Sequence, residues 1–133
     1  MSLLTQRYDY PALKRISTRQ GRKYSIDGNE HKAVPSVTTI LDKTSDKTFL
    51  HEWRRRVGDA EADRISRESA GLGTRVHNAL EKYALGEAWD NFGSNHVSQL
   101  AKNMTHSMIN SGLTKVDELW GVEVGVIAQG VYA

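Results

Sequence analysis

Gly73-Thr74-Arg75-Val76-His77-Asn78-Ala79-Leu80-Glu81-Lys82-Tyr83 is the stretch on which the reading of this chain turns. Val76, Leu80 and Tyr83 recur at helical spacing, which predicts a helix with those three residues on one face. His77 and Glu81 are four residues apart and share a face of that helix. A neutral imidazole ligates divalent metals, and a nearby carboxylate can orient it. A hydrogen-bonded, half-buried histidine has the same spacing, so the pair alone leaves both readings open. The helical pattern extends from about Asp59 to Leu85. Asp59 can cap it, Glu61 and Asp63 suit the positive end of the helix dipole, and Gly86 is a stop signal. Gly71 and Gly73 lie inside it and predict a bend or split there.

Downstream, Trp89, Asn91 and Gly93 mark a loop. A third helix is expected over about Ser94 to Ser111, with Val97, Leu100, Ala101, Met104, Met108 and Ile109 as its buried stripe and Gly112 as its end. Trp120, Val122, Val124 and Val126 then alternate with Glu and Gly, the pattern of a strand, and Val131-Tyr132-Ala133 reads as the start of another.

Upstream, residues 14–34 read as short strands. Gly21 marks a turn, Arg22 to Ile26 alternates weakly, and Asp27-Gly28 is a two-residue hairpin signal. Pro35 ends the extended run, and Ser36 is an N-cap for Val37 to Leu41. Thr44, Ser45 and Asp46 form a further cap cluster. Phe49, Leu50, Trp53 and Val57 follow at helical spacing, with Arg54, Arg55 and Arg56 on the same helix and Gly58 at its end. The order of elements predicts an α+β (α/β) fold in a single domain over residues 1–133. Residues 1–35 form a basic β-hairpin region, 36–112 a helical region and 113–133 the first strands of a mixed sheet. The last strand is expected to leave a sheet edge incomplete.

Composition narrows the function classes. The 133 residues contain no cysteine, which excludes disulfide frameworks, thiolate metal sites and cysteine nucleophiles. No run approaches the length of a membrane span, and the N-terminus carries no apolar core of a secretory signal. No membrane partner is therefore expected, and the cytoplasm is the default location. The net charge of +2 hides an asymmetry. Residues 1–56 hold 12 Lys/Arg against 6 Asp/Glu, and residues 57–133 hold 6 against 10. A basic half beside an acidic half suits a protein that holds a polyanion with one part and a cation with the other. A solvated surface with uneven charge is the plainer alternative.

Pro35-Ser36-Val37-Thr38-Thr39-Ile40-Leu41, then Trp53-Arg54, then Gly73-Thr74-x-x-His77-x-x-Leu80-Glu81, then Val122-Glu123-Val124 resembles the N-terminal half of a RecB-like nuclease of the PD-(D/E)XK superfamily. The group it is most similar to is the bacteriophage exonucleases, which resemble the mitochondrial genome maintenance exonuclease. The resemblance covers roughly residues 22–133. It implies a restriction-endonuclease-like core, metal-dependent hydrolysis of DNA phosphodiesters and, for a phage-encoded protein, the host cytoplasm. It assigns His77 and Glu123 to the catalytic site, with His77 holding a Mg or Mn ion in the complete nuclease. Arg54, Arg55, Arg56 and Arg75 become phosphate contacts, with Thr74 and Ser36 beside them. Three successive arginines cannot all face one way on a helix, so about two of them reach DNA.

Other side chains carry less. Trp53 is expected to pack as core, although base stacking on Trp53 or Tyr24 is an alternative. Met104 and Met108 are expected in the core. His51, His96 and His106 show no metal-ligand spacing. The sequence also departs from the family. After His77 it holds no Asp-x-Lys or Glu-x-Lys, and Asp117-Glu118 lacks the lysine. His77 and Glu123 alone are too few ligands for a hard divalent ion. The expectation is a chain that binds DNA carrying a single-stranded end and does not cut it. The rivals are one half of a split nuclease, completed by a second chain, and a non-catalytic DNA-binding or interaction module.

Overall fold

A computed structural model describes residues 2–128 and 131–132. The chain is α+β: the described residues form four α-helices and a small three-stranded antiparallel sheet, with a further pair of short strands. It divides into two compact units. One comprises Met1–Arg7 and Phe49–Val122 and is helical; the other comprises Tyr8–Thr48 and Glu123–Ala133 and holds the strands.

In the second unit, β1 (Lys14–Thr18) pairs antiparallel with β2 (Gly21–Ser25), and β2 pairs with β3 (Val34–Pro35). The register places Thr18 opposite Gly21, so the two-residue hairpin loop is Arg19-Gln20. The Asp27-Gly28 signal is not the hairpin turn. The Asp27 carboxylate instead accepts from Ser25 Oγ at 2.7 Å and from the Asn29 backbone at 2.8 Å. It thus folds the longer β2–β3 connection as an Asx turn. Gly21 has φ +118, and a Cβ there would stand 3.1 Å from Thr39 Cγ2. Residue 21 is therefore held to glycine by both backbone and space.

Helix α1 (Val37–Thr44) starts as expected at Ser36, whose hydroxyl accepts from the Thr39 backbone at 3.1 Å. Lys43 near its end donates from Nζ to the Gln20 carbonyl at 2.6 Å, fastening the helix to the hairpin. The alternating stretch Trp120 to Val126 does not form a strand. Only β4 (Ile127–Ala128) and β5 (Val131–Tyr132) pair, antiparallel, at its far end. Glu123 sits at φ +54, a left-handed conformation that breaks extended backbone, between two glycines that weaken a strand. Ala133, expected to continue the last strand, lies outside the described residues.

In the helical unit, α2 (Thr48–Val57) and α3 (Asp59–Leu85) meet at Gly58, whose φ of +89 turns the chain. Gly58, not Asp59, is the N-cap residue, and it supplies no side-chain bond. Helix α3 runs unbroken for 27 residues, about 40 Å, through Gly71 and Gly73. The expected split is absent, and local bonds span the glycines. Thr74 Oγ1 donates to the Ala70 carbonyl at 2.9 Å, and Arg75 Nη1 to the Gly71 carbonyl at 3.0 Å. Upstream, Arg64 clasps Glu61 and Glu68 at helical spacing.

Helix α3 packs against α4 (His96–Ser111), whose N-cap Asn95 accepts from the Ser98 backbone. The packed face is made of small residues. Ala62, Val76, Ala79 and Ala84 are buried on α3, and Ser98, Ala101, Thr105 and Ile109 on α4. The expected α4 stripe is therefore rotated. Ala101 and Ile109 are buried, but Leu100, Met104 and Met108 are 40–47% exposed. The small side chains at 98, 101 and 105 let the backbones approach, and the Thr105 hydroxyl is satisfied by the Ala101 carbonyl at 2.8 Å.

The N-terminal residues close this unit. Leu3 donates its N–H to the Ala84 carbonyl at the end of α3 and accepts from Leu119 N–H at 2.7 Å. The result is a parallel bridge between Leu4 and Leu119. Arg7 lies 2.9 Å from Glu118 and 4.9 Å over the Trp120 ring. Hydrogen bonds from Trp120, Thr5 and Arg7 hold the Glu118 carboxyl below its ordinary value.

Candidate nucleic-acid interface

The residues singled out by sequence fall in both units. His77 is exposed on α3, and Glu81 is half-buried one turn further on. Glu123, expected on a core strand, lies in the other unit at the bend described above. Among the described residues no three His, Asp or Glu side chains converge as a metal-binding group. The described donor set therefore does not fit a Mg or Mn ion, which takes several oxygen ligands.

The three successive arginines divide by role. Arg54 lies 2.8 Å from Asp63 and 3.2 Å from Asp59, so it braces the corner between α2 and α3. Asp63 foremost, and Asp59 with it, raise the pKa of the Arg54 guanidinium further. Arg55 and Arg56 are exposed, and among the described residues no carboxylate pairs with them. Thr74 uses its hydroxyl on the α3 backbone. Ser36 is buried, with its hydroxyl bound to the Thr39 backbone and 2.9 Å from both the Thr38 and Thr39 hydroxyls. Trp53 and Tyr24 are half-buried.

Arg75 is exposed and stands where two clefts of the helical unit meet. One, of about 410 Å³, is lined by Arg67, Gly71, Arg75, Asn95 and His96 among others. The other, of about 210 Å³, is lined by Arg75, Asn78, Lys82, Trp89, Asn91 and Phe92 among others. Sequence reasoning singled out Arg75 alone as a phosphate contact here. The missed signal is the series 67, 71, 75, 78, 82, spaced by four, four, three and four residues, which marks one face of a helix.

The loop that carries Trp89 and Phe92 is tied down. Trp89 meets Tyr83 edge-on with centroids 5.6 Å apart and lies 5.0 Å from the His106 ring. His106 Nε2 is 3.2 Å from Asp90, and Gln99 Nε2 donates to the Gly93 carbonyl at 3.0 Å. No helix among the described residues is long and apolar enough to cross a membrane. Compared with protein families, curated proteins and solved structures, the chain matches none.

Proposed function

We propose that these residues are the N-terminal part of a metal-dependent DNA exonuclease of the RecB-like PD-(D/E)XK type, a part that binds DNA and does not cut it alone. The observation that carries this reading is the geometry of the Gly73-to-Glu81 segment. It is helical throughout, with Val76 turned inward and His77 and Glu81 together one turn apart on another strip. A histidine carried on a helix is what the resemblance implies for this motif. The exposed, uncompensated Arg55, Arg56 and Arg75 add the cations a phosphate backbone needs. The described residues do not by themselves make a Mg or Mn site, so on this reading the metal belongs to the complete nuclease and not to these residues alone.

The direct test is incubation of the chain with labelled single- and double-stranded DNA in Mg²⁺ and in Mn²⁺. Retarded DNA without products is the expected result. Robust cleavage lost in His77→Ala would refute the claim that the chain does not cut, and no DNA binding at all would refute the reading.

A second reading is a DNA-binding module that never uses metal, served by the same exposed Arg55, Arg56 and Arg75. Thermal melting separates the two. A melting temperature raised by DNA and unmoved by divalent ions, even with a completing chain added, selects the module.

A further inference from the structure

We propose that the α3 face running from Arg67 through Arg75 to Lys82, with the adjoining Trp89–Phe92 cleft, is a groove for single-stranded nucleic acid. The cations take backbone phosphates and the cleft takes one unpaired base. The proposal rests on the DNA-binding reading above and gives it a site outside the motif, sharing with it only Arg75.

Three observations carry it. The first is charge. Residues 57–133 hold 10 acidic residues and only 6 Lys/Arg, yet three of those cations stand on this one strip of α3. Among the described residues no carboxylate pairs with Arg67, Arg75 or Lys82. The one carboxylate lining the larger cleft, Glu68, is bound 2.7 Å away by Arg64. The strip is cationic and exposed, and Asp90, beside the smaller cleft, is likewise engaged, by His106 at 3.2 Å.

The second is spacing. At about 100° per residue, positions 67, 71, 75, 78 and 82 fall within a sector of about 80° on the helix. Arg67 and Lys82 are separated by about 22 Å along the axis, the length of about six nucleotides at the rise of one stacked strand. Gly71 has a part in this. A Cβ there would stand 3.1 Å from Arg75 Nη1, so its absence lets the guanidinium lie along the helix at the junction of the two clefts. The strip is about 100° around the helix from His77 and Glu81, so a strand held on it runs beside the motif face.

The third is the cleft itself. Its 210 Å³ is smaller than the roughly 300 Å³ of ordinary small-molecule pockets and suits one flat ring. Trp89 and Phe92 supply aromatic walls, and Asn78 and Asn91 supply amides for a base edge. The loop is already pinned by Tyr83, His106 and Gln99, so little ordering remains to be done on binding. A base inside a duplex cannot enter such a cleft, which selects a single strand. An acidic peptide would use the cations and leave the aromatic cleft empty.

The test is fluorescence anisotropy of the 133-residue chain with labelled oligo-dT, oligo-dA, oligo-rA and a duplex of equal length, over a range of salt. Tighter binding of the single strands is expected, and the dA and rA arms show which sugar is preferred. The triple variant R67Q/R75Q/K82Q should reduce the slope of log K against log[salt] by about 2, at about 0.7 per phosphate contact. Trp89→Ala should weaken binding about 5- to 150-fold with the salt slope unchanged. Phe92→Ala, which leaves the Tyr83 and His106 contacts of Trp89 in place, should act in the same direction, and circular dichroism checks that each variant is folded.

A wild-type chain that binds DNA while the folded triple variant keeps its affinity and slope would overturn the groove and leave the nuclease reading intact. Equal affinity for the duplex, or equal competition by polyglutamate, would overturn it too. No binding of any polynucleotide by the wild type would overturn both.

Discussion

Replacing Gly73 by alanine should stabilise the protein, and the size of the gain reports how the two units melt. Gly73 lies in the interior of α3, and nothing stands within 4 Å of the position a Cβ would take. Its φ is not in the left-handed region, unlike those of Gly58 and Gly86 at the helix ends. The substitution therefore adds helix propensity without strain, worth about 1 kcal/mol. The unfolding entropy near the midpoint is about 2.1 cal/mol/K per residue. If all 133 residues unfold together, the midpoint should rise by about 3.5 °C. If the helical unit of about 80 residues unfolds on its own, the same free energy gives a rise of about 6 °C. Calorimetry of wild type and Gly73→Ala measures both the shift and the enthalpy that identifies the melting unit. Gly58→Ala is the counterpart. It also meets no neighbour, but its φ of +89 should make the same change destabilising. An unchanged or lowered midpoint for Gly73→Ala would mean that α3 bends at its glycines, and the unbroken helix would be wrong.

Three other outcomes follow from the same geometry. Ser36→Ala removes the α1 cap and should cost about 1 kcal/mol, seen as faster amide exchange in Val37 to Thr39. Glu118→Gln should destabilise the protein at neutral pH. Because the folded carboxyl titrates below its ordinary value of 4.5, its contribution is present above that value and lost as pH falls through the folded one. The difference in melting temperature between wild type and variant should therefore shrink towards pH 3, and a constant difference would refute the role of the charge. Met104→Gln should change stability by less than about 0.5 kcal/mol, whereas Ala101→Leu should cost about 1–3 kcal/mol by overpacking the α3–α4 contact. The reverse order in urea unfolding would restore the expected methionine core.

The elements that sequence located well are those whose ends are written in single residues. Ser36 caps α1, and Gly86, with φ +75, ends α3 by donating its N–H to the last carbonyls, of Lys82 and Tyr83. The turn between β1 and β2 was hidden because Arg19-Gln20 carries none of the usual turn chemistry, while Asp27-Gly28 carries it and uses it for an Asx turn. On α4, the stripes 101–105–109 and 100–104–108 lie about 100° apart, and both are apolar enough to be core. The choice between them is made by α3, which presents alanines and admits only the face with small side chains. The valines at 122, 124 and 126 alternate well, but a strand also needs a backbone that stays extended, and Glu123 does not. Among the candidate site residues, the motif on α3 was legible because it is contiguous. The strip from Arg67 to Lys82 was not, because its members stand eight and seven residues apart in a half of the chain with excess acid.

The bridge between Leu4 and Leu119 also bears on how the molecule comes apart in time. It closes a loop of more than a hundred residues, and the chain leaves the helical unit after Arg7, re-enters at Phe49 and leaves again after Val122. Contacts of such high sequence separation form only after the intervening chain has been ordered or bypassed, at a closure entropy that grows slowly with loop length. The expectation is that Leu3, which bonds the Ala84 carbonyl and Leu119, takes its place after α3 and α4 have docked, to be checked by folding and unfolding rates of variants at residues 2–5. Weakening residues 2–5 should leave the folding rate nearly unchanged and accelerate unfolding, making this short segment a determinant of the native state's lifetime.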